Sequence, residues 1–251
     1  MKIPLIIGDS HGNQLARSLG RHAGTWDTEI DRPLEVRQGD TLAAYFYLLT
    51  STTHLFVTPD GGKSIMLNPS YLEEIQKVAG QCSCVVVALD GNVHNWNFIT
   101  EWSPPFDFFD PDLPDKLQAG VQIISGAVIE DYFGLHAPKL MVRLQLLKAI
   151  APDVPHYLLQ PPPPIPSGPQ IKSHWDEYTK KDSVIADKWL RLKIYKVYMR
   201  VLENCCRQLG MTMIAPPRDR LDPDGFLPEQ YWRDSTHASE DFYHDTIPGE
   251  P

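Results

Sequence analysis

Val85-Val86-Val87-Ala88-Leu89 is a run of apolar residues with no polar residue alternating among them. A run that short reads as a strand, and one without alternation reads as a strand buried on both faces, as in a parallel sheet covered by helices on either side. Ile3-Pro4-Leu5-Ile6-Ile7 has the same character and stops at Gly8, and residues 155–159 and Met211–Ala215 are two further short runs. Between them lie helical stripes. His11 to Arg21 aligns Leu15, Ala16 and Leu19, and Asp9 or Ser10 stands where a cap is needed. Pro69 to Ala79, with proline in the first turn and Gly80 past the end, aligns Leu72, Ile75 and Val78. Pro138 to Ile150 aligns Leu140, Leu144 and Leu147. Residues 184–209 carry the longest stripe, from Ile185 and Trp189 through Tyr195 to Cys206 in steps of three or four, ending at Gly210; it reads as core. Short strands alternating with helices predict a three-layer α/β/α sandwich with a mainly parallel sheet.

At 251 residues, 42% hydrophobic and 22% charged, the composition is that of a globular protein, not a disordered chain. No internal repeat or interior linker divides it, so residues 1–251 read as one domain. Proline is abundant, 23 residues, about 9% against roughly 5% in average usage. Long loops are expected at about 95–117, 160–183 and 216–233, the second stiffened by Pro161 to Pro164. Asp60-Gly61 between Thr53–Val57 and Ser64–Leu67 is a hairpin signal. The net charge is −9, without a basic run, which argues against nucleic acid or an anionic membrane as partner. Neither a signal peptide nor a membrane-spanning run is visible, so a soluble, cytoplasmic protein is expected. Cys82/Cys84 and Cys205/Cys206 are too close in sequence to bridge readily and lack zinc-site spacing; they read as reduced structural thiols, and no metal is expected.

Ligand sites in open α/β sheets lie at the carboxyl ends of the strands. Two polar clusters follow predicted strands, Gly8-Asp9-Ser10-His11 and Asp90-Gly91-Asn92-Val93-His94-Asn95; a third, Asp234-Ser235-Thr236-His237, lies near the C-terminus. Together they supply a hydroxyl on a strand-to-helix turn, a side-chain amide, and a histidine with a carboxylate three residues before it. Those are the parts of nucleophilic acyl transfer. Each also has a plainer reading. Ser10 could serve as a helix cap, Asp234 could cap a final helix starting near Ser239, and His11 and His94 could be structural.

In type, order and spacing, Gly8-Asp9-Ser10, Gly91-Asn92 and Asp234-Ser235-Thr236-His237 resemble the blocks of the SGNH (GDSL-type) hydrolase family, over the span from Ile6 to Phe242. The resemblance implies that family's flavodoxin-like sandwich. It also implies that Ser10 Oγ is the nucleophile, His237 the base, and Asp234 the group that orients the imidazole. The Ser10 N–H, the Asn92 amide and a glycine N–H would form the oxyanion hole, with no metal or organic cofactor. Two positions depart from the family pattern. Val93 stands where an Asp usually follows the Asn. The glycine is not fixed either: Gly39 and Gly61/Gly62 compete, and the hairpin reading of Asp60-Gly61 favours Gly39. His11, His94 and Trp96 are candidate substrate contacts. The aromatic residues from Trp96 to Phe109 are expected near the site mouth, with Phe106, Phe108 and Phe109 packing the loop. The first functional reading is a serine esterase that removes a small acyl group, such as acetyl, from a carbohydrate. An O-acyltransferase acting on a glycan through the same triad is the second, and a non-catalytic carbohydrate-binding relative the third.

Overall fold

The computed structural model describes residues 3–21, 33–49, 56–57, 66–67 and 69–247. In chain order the elements are β1 (Leu5–Gly8), α1 (Ser10–Leu19), β2 (Leu34–Gln38), β3 (Thr41–Leu48), β4 (Phe56–Val57), β5 (Met66–Leu67), α2 (Pro69–Ala79), β6 (Val85–Ala88), α3 (Val93–Phe98), β7 (Phe106–Phe108), β8 (Gln122–Ile124), α4 (Gly126–Ile150), β9 (His156–Leu159), α5 (Gly168–Thr179), α6 (Lys188–Leu209) and β10 (Thr212–Ile214). The main sheet has the order β10-β9-β6-β1-β3-β2. Every pairing in it is parallel except β2 with β3, an antiparallel edge whose register shifts between Val36 and Arg37.

The unalternating apolar runs are explained by the two faces of this sheet. Leu5, Ile7, Val85, Val87 and Leu158 pack into a core under α2, α4 and α6. Ile6, Val86, Ala88 and Leu159 point the other way, into a second core beneath α1, α5 and the C-terminal segment. Successive strand residues face opposite sides, so a strand with helices on both sides must be apolar at every position. The molecule is thus a three-layer α/β/α sandwich, and all four strands expected to be parallel lie in its sheet. All four cysteines are buried and none is in a disulfide. Among the described residues no helix is long and apolar enough to cross a membrane.

Several expected boundaries shift, for identifiable reasons. The helix expected to begin at Pro138 begins twelve residues earlier, at Gly126, behind a Ser125 cap; Pro138 lies inside it. Proline in the first turn is the usual arrangement. Here Ile129 and Phe133 carry the buried stripe upstream of Pro138, while the exposed Val128 and Leu135 blur the pattern. The helix expected over 184–209 starts at Lys188 and, at 22 residues, is shorter than α4 with its 25, because the residues before it are extended. Glu101 N–H donates to the Val184 carbonyl at 2.8 Å, Ala186 N–H donates to the Ile99 carbonyl at 3.0 Å, and Asp187 then caps the helix through Trp189 N–H. The loops expected at 95–117 and 160–183 are partly regular: the first contains most of α3 and all of β7, the second contains α5, and 216–233 holds only short 3-10 turns. β4 and β5 pair antiparallel as the hairpin signal requires; the Asp60-Gly61 turn and Gly62 lie outside the described residues.

One buried ion pair fastens the 105–118 segment to the body. Lys193 on α6 and Asp107 on β7 are both fully buried and bonded to each other. Lys193 also donates to the Phe108 carbonyl at 3.0 Å and the Lys116 carbonyl at 3.1 Å. Asp107 accepts from Phe108 N–H at 2.7 Å and Gln118 N–H at 2.9 Å. With every donor and acceptor engaged, the pair is tolerated, whereas removing one partner strands a buried charge at a cost of about 3–5 kcal/mol. Lys193→Met is expected to destabilise by that order in urea unfolding, and Lys193→Met with Asp107→Leu to recover a good part of the loss. Equal stability of the single variant and the wild type would show that the pair holds nothing.

Candidate active site

β1 and β6 run side by side with Gly8 level with Ala88. Their connections leave in opposite directions, β1 toward β3 and β6 toward β9. A reversal of this kind opens a crevice at the carboxyl ends of the two strands, and both the Gly8–His11 and the Asp90–Asn95 clusters emerge there. Glycine is required at position 8 because a Cβ would stand 2.6 Å from the Ala88 carbonyl oxygen and 3.0 Å from Gly12 Cα. Asp9 then joins the two loops. Its N–H donates to the Ala88 carbonyl at 3.0 Å, Oδ1 accepts from His11 N–H at 3.1 Å, and Oδ2 accepts from Asp90 N–H at 3.1 Å. Of the two cap candidates Asp9 is therefore the cap of α1, and Ser10 is the helix's first residue. Its N–H is among those at a helix start with no helical acceptor.

On the β6 side, Asp90 sits at φ 57°, in the left-handed region. Arg143 of α4 pairs with its carboxylate, and Tyr198 of α6 donates to its carbonyl at 2.9 Å. The turn delivers Asn92 to the crevice. The third cluster arrives from the C-terminal segment. Asp234 does not cap a helix; its Oδ1 accepts from Thr236 N–H and His237 N–H, each at 2.9 Å, and both carboxylate oxygens lie 2.9 Å from His237 Nδ1. Burial pushes the Asp234 carboxyl up, but the His237 hydrogen bond, the His237 charge and those two amides outweigh it and hold it well below the usual range. An ionised Asp234 places the imidazole proton on Nδ1 and leaves Nε2 as a lone pair.

That lone pair faces Asn92, whose Nδ2 donates to His237 Nε2 at 3.1 Å. Ser10 Oγ makes no hydrogen bond with His237, although both line the same cavity. The cavity, about 280 Å³, is bounded by Ser10, Gln14, Asn92, Trp96, Arg233 and the Asp234–His237 pair. Trp96 is 49% exposed and is backed edge-on by Trp175 at 5.1 Å and Tyr178 at 5.6 Å, both on α5. Among the described residues, no group of three or more His, Cys, Asp or Glu side chains could hold a metal ion.

Three of the expected site residues lie elsewhere. Gly39, with φ +61°, turns β2 into β3. It is at the amino end of a strand parallel to β1, so it lies across the sheet from Ser10 and contributes nothing to an oxyanion hole there. His94 is buried against Tyr195 and Tyr198, with ring centroids at 5.2 and 5.8 Å, and burial lowers its pKa to about 3; it is a core histidine. His11 is 2% exposed and does not line the cavity. Its ring lies 4.9 Å from that of His237, and Nδ1 meets the Tyr243 hydroxyl at 3.2 Å. Burial and the neighbouring His237 hold it neutral, against the pull of Asn92. Gly91 makes room for it, since a Cβ there would meet His11 Cδ2 at 2.2 Å. Phe106 and Phe108 are buried packing as expected, whereas Phe109 is 56% exposed. Sequence reasoning missed Gln14, Arg233, Trp175 and Tyr243. Helical spacing from Ser10 would have found Gln14; adjacency to Asp234 would have found Arg233.

No family model matches the chain, and no curated protein matches it. Solved structures that align with it include the periplasmic domain of a lipopolysaccharide acetyltransferase from Salmonella ser. Paratyphi A, at 14% identity over 98% of this chain and 81% of that one, with a TM-score of 0.49. A GDSL-like lipase from Bacteroides thetaiotaomicron aligns at 13% identity over 96% and 82%, TM-score 0.42. A carbohydrate acetylesterase from Sinorhizobium meliloti aligns at 12% identity over 98% and 94%, TM-score 0.41.

Asp9 supplies a pH signature. Burial raises its pKa to about 6, partly offset by the His11 N–H and reinforced by the Asp90 charge. Between pH about 4 and 6 the folded protein holds a proton that the unfolded chain has released. The stability this group contributes is therefore full below that window and falls as pH rises through it, by about 3 kcal/mol in all. Asp9→Asn removes the titration, so the stability of the wild type relative to the variant in urea unfolding should fall by about 3 kcal/mol from pH 4 to pH 7.5. A gap independent of pH would contradict the burial argument.

Proposed function

We propose that the chain is a serine esterase of SGNH type that removes a small acyl group from a carbohydrate ester. The observation that carries this reading is the convergence of Ser10, Asn92 and the Asp234–His237 pair on one cavity at the carboxyl ends of β1 and β6. The cavity volume is at the bottom of the roughly 300–1,000 Å³ span of small-molecule sites, which favours a short acyl group over a long chain. Trp96 at its mouth, braced by Trp175 and Tyr178, offers a ring face to a sugar.

The chemistry follows from the hydrogen bonds. The Nε2 lone pair accepts one donor, so the Asn92 amide and the Ser10 hydroxyl compete for it. A bound ester carbonyl draws the Asn92 amide onto its own oxygen and leaves Nε2 to Ser10. Ser10 Oγ then bonds to the carbonyl carbon as its proton passes to Nε2, and the carbonyl electron pair moves to oxygen, between the Asn92 amide and the Ser10 N–H. Collapse breaks the bond to the alcohol oxygen, which takes the proton from His237. Water repeats the sequence on the acyl-serine and releases the carboxylic acid. His11, buried and neutral beside His237, lets the positive charge reside on His237 alone. The aromatic mouth equally supports a second reading, in which a sugar hydroxyl replaces water and the product is an acylated glycan.

A panel of p-nitrophenyl esters, with and without sugar acceptors, separates these. Hydrolysis of short acyl esters without acceptor is expected; acyl appearing on sugar with little hydrolysis would favour transfer. Ser10→Ala and His237→Ala should each remove most of the turnover, and the double variant little more. Asn92→Ala should lower kcat by about 10²–10³-fold with KM nearly unchanged, since its amide serves charge that exists only in the transition state. Trp96→Ala should act on KM. A Ser10→Ala protein, folded by circular dichroism and turning over at the wild-type rate, would end the serine mechanism.

A further inference from the structure

Two polar side chains line the same cavity and have no part in the acyl chemistry. Arg233 directly precedes Asp234. Its main chain is fixed, its N–H donating to the His237 carbonyl at 3.1 Å, while the neighbouring Trp232 indole N–H donates to the Leu227 carbonyl at 2.7 Å. The Arg233 guanidinium is exposed, and among the described residues it meets no carboxylate. Gln14 lies one helical turn beyond Ser10 on α1, so it shares the serine's face of the helix. It is 2% exposed, yet its amide makes no hydrogen bond with any described residue. The amide is left open to the cavity that Gln14 lines, free to bond a ligand there. The other charged group there, Asp234, is committed to His237.

We propose that the substrate carries an anionic group on its alcohol part, and that Arg233 is the specificity-determining residue that receives it, with the Gln14 amide hydrogen-bonding the same sugar. The inference rests on the esterase reading of the cavity and narrows it to O-acylated acidic sugars. A guanidinium presents a planar fork of donors that matches a carboxylate or a phosphate two bonds at a time. The whole chain has a net charge of −9, which repels anions at long range, so selection for an anion needs a local cation such as this one. A neutral sugar ester would leave the Arg233 fork to water. Trp96 meets the less polar face of the ring while Arg233 takes its acidic substituent.

Binding and turnover test this separately. Ser10→Ala protein, which leaves the ester intact, is titrated calorimetrically with acetylated glucose, acetylated glucuronic acid and acetylated glucose 6-phosphate, and the titration is repeated in Ser10→Ala/Arg233→Ala and Ser10→Ala/Arg233→Gln. At least one of the two anionic esters should bind roughly 10–100-fold more tightly than the neutral one. That advantage should vanish in both Arg233 variants and weaken with added salt. Whichever anion keeps the advantage identifies carboxylate or phosphate as the group. Equal binding of all three esters, or equal weakening of all three by the Arg233 changes, overturns the proposal. In Ser10-intact protein, the ratio of kcat/KM for the anionic ester to that for the neutral one should fall by a similar factor on Arg233→Ala. Absence of turnover with any ester would refute the esterase reading, while the binding comparison would still decide the anion site.

Discussion

The site depends on a single carboxylate. Asp9 accepts from the amide of the residue after Ser10 and from the amide that opens the Asp90 turn, so one side chain sets the distance between the proposed nucleophile and the proposed oxyanion donor. It does so from a buried position that raises its own pKa to about 6. Two amide donors stabilise the ionised form, while burial and the Asp90 charge oppose it. The clasp is thus made of opposed terms, and the main-chain bond from Asp9 N–H to Ala88 keeps it in place.

Around that clasp, burial divides three histidines with no common role. His94, among tyrosines, is a piece of core. His11, beneath His237, is kept neutral by burial and tied to Tyr243. His237, partly open and held at Nδ1 by an ionised Asp234, is the proposed base. With the Asn92 amide on its Nε2, the resting hydrogen bonds differ from those that the proposed acyl chemistry requires.

Much of the fold was legible in the chain, because strands covered on both sides must be apolar throughout. Val85–Ala88 and Leu5–Gly8 could be read without knowledge of their neighbours. β2 could not, since Leu34–Gln38 mixes charged and apolar residues at an exposed edge. α5 was hidden behind four prolines, and the first half of α4 behind Pro138, because proline marks helix starts more often than interiors. Of the site, the three motif clusters were readable from type and order. His11 and His94 were not, because adjacency in sequence to Ser10 and Asn92 says nothing about which way a helical side chain points. Gly39 was misplaced because the choice between glycines turned on which end of a strand each occupies. Tyr243 left no local signal; its contact with His11 spans 232 residues of chain.

The register shift between Val36 and Arg37 has a consequence for how the molecule meets its own kind. An outer strand with a straight row of open amides is a template on which another chain's strand can grow. Among the described residues β2 is the outer strand on its side; the extra residue, Ala43 on β3, twists the ladder, Arg37 is already bonded through its main chain to Arg21, and Glu35 and Arg37 pair with each other across the exposed surface. Another strand approaching in line would meet neither a continuous row of amides nor an apolar face, which makes this described rim a poor template for sheet growth.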